Sequence, residues 1–362
     1  MAGTNSYPMH GGQLRQIADR FGINESLLLD FSANINPEGP PAAVIAALRA
    51  GIEDLSTLTE YPDLQQTILR RAIAAHIGVE TENIVVANGF VPLLEATLKA
   101  LKIRSCLLPV PAFVEYRKTL ARSEVEVKPH LLNVESGFNY DSTEMFAGTH
   151  DAILLANPQN PSGVCQSGEL MRTIVAQARE KNTFVLLDEA FIDYAPQYAL
   201  TSTTNDFSNL IVFRSVTKFY GMPGLRVAYA VANSRLASSI DDNLAPWPVT
   251  TLASHAVCAA LADEAYAART IQVNLHRKTA LEGALKSLGF AVYPSDGNFL
   301  LFRLTTDIDP NYFWEQMIVT HHIVLRNCAN YEGLDPGHFR AAVRTREENI
   351  KLQKALQATI SR

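Results

Sequence analysis

The chain has 362 residues, enough to bury a sizeable core in one large domain or in two. Its 47% hydrophobic and 19% charged residues exclude a disordered tail, and a net charge of −6 without a long basic block argues against nucleic acid as a partner. The start, MAGTNSYPMHGG, lacks the basic-then-apolar order of a secretion signal, and runs such as AILLA (152–156) are too short to span a bilayer, so the expected address is cytoplasmic, with no membrane partner.

The first forty residues end in the turn-rich NPEGPP and are expected to pack back on a second domain. From about residue 63, short β-branched runs alternate with stretches of helical period, the pattern of a largely parallel sheet covered by helices, hence an α/β fold. The predicted strands are 84–88, 105–110, 152–157, 184–189, 210–215 and 227–232, with helices over 63–77, 90–101 and 168–181. After Pro246 and Pro248 the character changes. Helical stretches at 250–265 and 268–287 lead to strand candidates within 291–304, a helix at 312–319, strands at 322–328 and 339–344, and a final helix from about Glu347. The expected division is an N-terminal segment (1–40), a large domain (41–248), and an interdomain helix with a small α+β domain (249–362). Cys106, Cys165, Cys258 and Cys328 lie far apart and the histidines show no ligand spacing, so no metal is expected.

SVTKFYGMPGLR (215–226) carries the strongest local signal. Lys218 follows a buried strand among turn residues, where a desolvated lysine can serve as an amine nucleophile or proton carrier. Ser215 and Arg226 flank it with a hydroxyl and a cationic fork suited to phosphate. The competing reading is a solvated loop lysine with a surface arginine. In FVLLDEAFIDY (184–194) a hydrophobic strand delivers Asp188 and Glu189 to its carboxyl edge; Asp188 suits a pyridine nitrogen, or magnesium in a nucleotide site, although no phosphate loop of the GxxxxGK[ST] kind is present. In ANPQNPSG (156–163), Asn157 and Asn160 both offer an amide for a phenolic oxygen, and a plain turn is the alternative. In VANGF (86–90), Asn88, Gly89 and Phe90 precede a helix whose backbone donors suit phosphate.

These motifs, in this order, resemble the aspartate-aminotransferase superfamily of fold-type-I pyridoxal-phosphate enzymes over nearly the whole chain. The resemblance implies a large domain with a mostly parallel seven-stranded sheet, a smaller α+β domain, and pyridoxal 5′-phosphate as cofactor. It implies that Lys218 carries the cofactor as a Schiff base, Asp188 meets the pyridine nitrogen and Asn160 the ring oxygen. Ser215, Arg226 and the backbone after Asn88 would take the phosphate, and Phe113, in VPAFVEY, would stack over the ring. Tyr61, in EYPD, resembles an aromatic that reaches the neighbouring subunit's phosphate, which implies a homodimer with shared sites. Two departures stand out. Phe191 occupies a position where many relatives have Tyr, and Phe90 and Val91 follow the NG where a hydroxyl residue is common.

Within the superfamily, MHGG (9–12), DFSANINPEGPP (30–41), the phenylalanine of DEAFIDY and LRNCANYEGLDPGHFRAAVR (325–344) are most similar to the threonine-phosphate decarboxylases of cobamide synthesis. That resemblance implies loss of carbon dioxide from a phosphorylated amino acid. The alternatives are a histidinol-phosphate or related aminotransferase, and a noncatalytic regulatory protein that keeps the cofactor domain. Arg340 and Arg344 alternate with apolar residues on a predicted strand, so both are expected to face one pocket, with Arg326 reaching it from a neighbouring strand. By resemblance Arg340 takes the α-carboxylate, while Arg326 or Arg344, with His10, Gly11, Ser32 and Asn34, surrounds the distal phosphate; a surface patch of arginines is the alternative.

Overall fold

The computed structural model describes residues 8–305 and 307–361. Runs of Ile, Val, Leu and Ala with no polar alternation form strands buried on both faces. Seven strands, all but the last of them of this kind, make one sheet, in the order Ile84–Ala87, Ala228–Val231, Leu210–Ser215, Phe184–Asp188, Ala152–Ala156, Ser105–Val110 and Glu126–Leu131. Ala228–Val231 runs antiparallel to both neighbours; the other pairings are parallel. Helices Phe90–Ala100 and Val114–Arg122 cover one face and Gly168–Glu180 the other. Thr251–Leu261 packs with Ala42–Glu53 and Thr67–Ile77 over the edge formed by Ile84–Ala87.

Glu126–Leu131 is a strand the sequence pattern did not predict. It lies at the sheet edge, carries Glu126, Lys128, Pro129 and His130, and is half exposed, so it never needed an apolar run.

The C-terminal region folds around a four-stranded antiparallel sheet, ordered Arg326–Asn327, His338–Ala342, Phe299–Arg303 and Ala291–Val292. Helices Glu264–Ser287, Pro310–Val319 and Arg346–Ile360 pack on it. Ile17, Ala18, Leu28 and Phe31 of the N-terminal segment enter the same core, and Leu29–Asp30 pairs in parallel with Ile323–Val324. The predicted strand 322–328 is therefore two short strands in different sheets. Thr345 starts the last helix with a reciprocal cap: its hydroxyl accepts from Glu348 N while Glu348 accepts from Thr345 N.

The parallel strands of the large sheet end on one side at Val110, Ala156, Asp188 and Ser215, where the chain turns into loops. An open α/β sheet binds ligands outside those carboxyl ends.

Candidate active site

Ser215 ends its strand, and three residues later Lys218 turns back so that its Nζ lies 3.3 Å from Ser215 Oγ. The turn is tight: Gly221 has φ +61, and a Cβ there would lie 2.7 Å from the Gly39 carbonyl carbon, so the backbone passes where only glycine fits. Burial lowers the Lys218 pKa, opposed by Asp188 and assisted by Arg226, which brings the neutral amine within reach.

Asp188 is 7% exposed and accepts from Tyr116 Oη at 2.6 Å and from Ala190 N at 2.9 Å. Burial pushes its carboxyl up, against the pull of Lys218, Tyr116 and the Ala190 amide. Burial also raises the Tyr116 phenol well above its ordinary value, with Asp188 next in effect, so Tyr116 keeps its proton and donates it.

A cradle lies at the start of helix Phe90–Ala100. Gly89 has φ +98, and a Cβ there would lie 2.9 Å from Arg226 Nη2. Arg226 makes one long contact of 3.5 Å to Pro223 O, which leaves most of its fork for a ligand. Ser215 Oγ and Thr217 Oγ1 lie 2.8 Å apart on the same loop. Phe90 turns its ring into the core against Phe213 and Tyr116, so it offers only backbone to the cradle, and Asn88 is exposed.

Next to this machinery lies a cavity of about 250 Å³, lined by His10, Gly11, Ser32, Asn34, Phe113, Asn160, Phe191, Lys218, Arg326 and Arg340, among others. A larger open groove of about 700 Å³ runs between the helices Glu264–Ser287 and Arg346–Ile360, but none of these groups lines it. Asn160 reaches the cavity and accepts from Arg340 Nη1. Asn157 does not: its amide is bonded in both directions to the Gln166 backbone, which decides between the two asparagines. Arg340 Nη2 donates to Ser32 O at 3.0 Å. Arg340 Nε and Asn34 Oδ1 are buried with no hydrogen-bond partner among the described residues.

Residues 8–12 lie along the cavity as an arm. Arg326 donates to Pro8 O and Met9 O at 3.0 and 2.7 Å, and Gly12 N donates to Ser32 Oγ at 2.9 Å. A Cβ on Gly11 would collide with the Ser32 carbonyl, so glycine is needed for that approach. Across the arm, His10 Nε2 lies 2.9 Å from Glu115 Oε1.

The expectation that Arg344 shares the pocket with Arg340 is corrected. The strand ends at Ala342 and the chain turns into the Thr345 cap, so the two-residue alternation stops before reaching Arg344. Its guanidinium donates to Asp30 O and Glu348, outside the cavity lining. Tyr61 is also absent from this lining; it is 81% exposed and stacks on Trp247 with ring centroids 4.6 Å apart.

Four residues beside the site were not singled out from the sequence: Glu115, Tyr116, Thr217 and Tyr331. Tyr116 and Glu115 follow Phe113 at the start of a helix, and Thr217 lies between Ser215 and Lys218, so each sat inside a quoted motif without a distinguishing spacing. Tyr331 stacks under the Arg326 guanidinium, 5.1 Å from carbon to ring centroid.

The donor set fits pyridoxal 5′-phosphate. An arginine, two hydroxyls and a helix N-terminus opened by glycine suit a phosphate dianion, a buried carboxylate suits a protonated ring nitrogen, and a desolvated lysine suits an aldehyde. Among the described residues no three His, Cys, Asp or Glu side chains gather as a metal site, and no helix is long and apolar enough to cross a membrane.

Comparison with known proteins gives the same assignment. The model of the family aminotransferase class I and II matches residues 27–356. The threonine-phosphate decarboxylase of Salmonella typhimurium is 34% identical over 97% of this chain and 96% of its own. Among solved structures, the histidinol-phosphate aminotransferase from Clostridium acetobutylicum superposes with a TM-score of 0.86 at 27% identity, covering 92% of this chain and 99% of that one. The L-threonine-O-3-phosphate decarboxylase from Porphyromonas gingivalis does so with a TM-score of 0.80 at 25% identity and the same coverage.

Proposed function

This chain belongs to the class I and II aminotransferase family, whose cofactor is pyridoxal 5′-phosphate, and from that premise we propose that it decarboxylates L-threonine O-3-phosphate. The products are carbon dioxide and (R)-1-amino-2-propanol O-2-phosphate, the linker of the cobamide nucleotide loop. The observation that carries this reading is the cavity itself: Arg326, Arg340 and His10 line one small chamber with Lys218 and have no acidic residue among the lining groups, a setting for a substrate with two anionic ends. Identity to a threonine-phosphate decarboxylase along the chain supports it.

In this reading Lys218 holds the cofactor covalently, Ser215, Thr217, Arg226 and the Gly89–Phe90 backbone hold its phosphate, Asp188 its ring nitrogen, Asn160 its ring oxygen and Phe113 its face. Bound pyridoxal phosphate supplies a sink for the electron pair left when a bond to the substrate α-carbon breaks. Arg340 takes the α-carboxylate and sets its direction, beside Asn160 to which it is bonded. Arg326, His10 and the Gly11 backbone surround the distal phosphate, while Ser32 orders the site by accepting from Arg340 on its carbonyl oxygen and from Gly12 N on its hydroxyl, beside Asn34. The bond from the α-carbon to the carboxylate would break with loss of carbon dioxide, and Lys218, its amine free once the substrate amine has taken its place on the cofactor, would deliver the proton that replaces it there.

The functional unit in this proposal is a homodimer. Tyr61 lies in a segment that also exposes Ile52, Leu55, Leu58, Leu64 and Ile68, an apolar face suited to a second copy. From there Tyr61 reaches the partner's cofactor phosphate.

An aminotransferase acting on histidinol phosphate is the second reading, supported by the superposition on the Clostridium acetobutylicum enzyme. Incubation with O-phospho-L-threonine in the absence of any keto acid, with carbon dioxide as readout, separates the two.

A further inference from the structure

Glu115 lies in the first turn of helix Val114–Arg122, directly after Phe113, and it faces the arm. Its Oε1 is 2.9 Å from His10 Nε2 and 2.8 Å from Lys118 Nζ, and its Oε2 is 4.0 Å from Arg122. Two neighbouring cations and the histidine keep this carboxyl below its ordinary range although burial opposes them, so Glu115 is an acceptor at neutral pH. An ionised acceptor on Nε2 requires Nε2 to carry the proton. That leaves Nδ1 as the ring nitrogen open to a ligand in the cavity that His10 lines.

The charged groups facing His10 are Glu115 and Lys118 from the helix and Arg326 from the small-domain strand. Burial lowers the His10 pKa first, with Lys118 and Arg326 in the same direction and Glu115 opposing. Without a phosphate in the cavity the ring is therefore neutral near pH 7, with Nδ1 a lone-pair acceptor that repels an anion. A phosphate dianion reverses this balance by adding negative charge on the Nδ1 side.

We propose that Glu115 is the positioning residue of the distal-phosphate subsite: it fixes His10 through Nε2 so that Nδ1 takes up a solvent proton as the phosphate enters, and donates it to a phosphate oxygen. The inference rests on the reading of the substrate as a phosphorylated amino acid. It adds that binding consumes a proton at His10, and that affinity for a phosphate dianion falls as pH rises through the pKa of the occupied state.

The test uses the holoenzyme labelled with 15N-histidine, with the His10→Gln protein identifying the resonance and inorganic phosphate as the probe. The expected result is a neutral ring protonated on Nε2 without phosphate, and a titration displaced to higher pH with it. Glu115→Gln lowers the His10 pKa and raises the phosphate Kd about tenfold, while Glu115→Asp recovers part of the loss. With O-phospho-L-threonine, Glu115→Gln raises KM about tenfold with little change in kcat, as expected for uniform binding. A ring protonated on Nδ1, a titration indifferent to phosphate, or a Glu115→Gln protein with unchanged Kd overturns the proposal. If phosphothreonine releases no carbon dioxide while His10 responds as described, the decarboxylase reading fails and the pairing stands.

Discussion

The Tyr116 hydroxyl donates to Asp188 Oδ2 at 2.6 Å, so the carboxylate proposed to meet the ring nitrogen is itself held by a buried phenol. Asp188 is pushed up by burial, and this donor favours its ionised form. Tyr116→Phe is expected to lower turnover about tenfold to a hundredfold. It should also move the acid limb of the pH–rate profile to higher pH, because the lost donor had stabilised the carboxylate. Asp188→Ala should cost more, with melting temperature changed far less than activity. A Tyr116→Phe protein with an unchanged acid limb contradicts the role.

Lys218 is half-buried beside Asp188, with its amine pKa lowered first by desolvation. Borohydride reduction of the holoenzyme should abolish its visible absorbance and leave a stable cofactor adduct, which peptide mass mapping places on Lys218. A consistent adduct on any other lysine rejects the site.

Arg340 and Arg326 face each other across one register pair of the small sheet, yet their partners differ. Arg340 is bonded to Asn160, near Lys218, whereas Arg326 holds the arm through Pro8 and Met9. Arg340→Ala should therefore impair use of the substrate more than binding of the product, which has lost its carboxylate. Arg326→Ala should weaken both by about tenfold to a hundredfold, as loss of a charged hydrogen bond does. Competition by 1-amino-2-propanol phosphate measures the difference; equal effects of the two variants on product affinity contradict the assignment.

Much of the large domain was legible because buried parallel strands are written as short apolar runs, as in 152–156 and 184–188. The edge strand Glu126–Leu131 was not, since one exposed side and Pro129 remove that signature. Lys218, Asp188 and Arg226 stood out as charges beside strands and glycines. Asn157 and Asn160 could not be told apart until the Gln166 backbone claimed the first. Arg344 misled because the alternation rule assumed a strand that ends two residues earlier. Glu115 and Tyr116 touch residues 105 and 72 positions away, His10 and Asp188, and no local pattern encodes such pairs.

Tyr61 is exposed and stacked on Trp247, outside the cavity lining of its own chain. In a dimer, Tyr61→Phe should weaken cofactor binding by a few-fold to about tenfold while leaving the solution mass at twice that of the chain. Cofactor titration and sedimentation measure these separately. Normal cofactor affinity removes the contact, and a fully active monomer removes the shared site.

The central claim is tested most directly by giving the holoenzyme O-phospho-L-threonine with no keto acid present and measuring carbon dioxide and amine together. The expected result is stoichiometric carbon dioxide and 1-amino-2-propanol phosphate, with O-phospho-L-serine turned over more slowly because it lacks the methyl group. Equal turnover of the two phosphoamino acids keeps the reaction and removes the named substrate. No carbon dioxide from phosphothreonine, together with conversion of histidinol phosphate only when a keto acid is supplied, contradicts the account and makes the protein an aminotransferase.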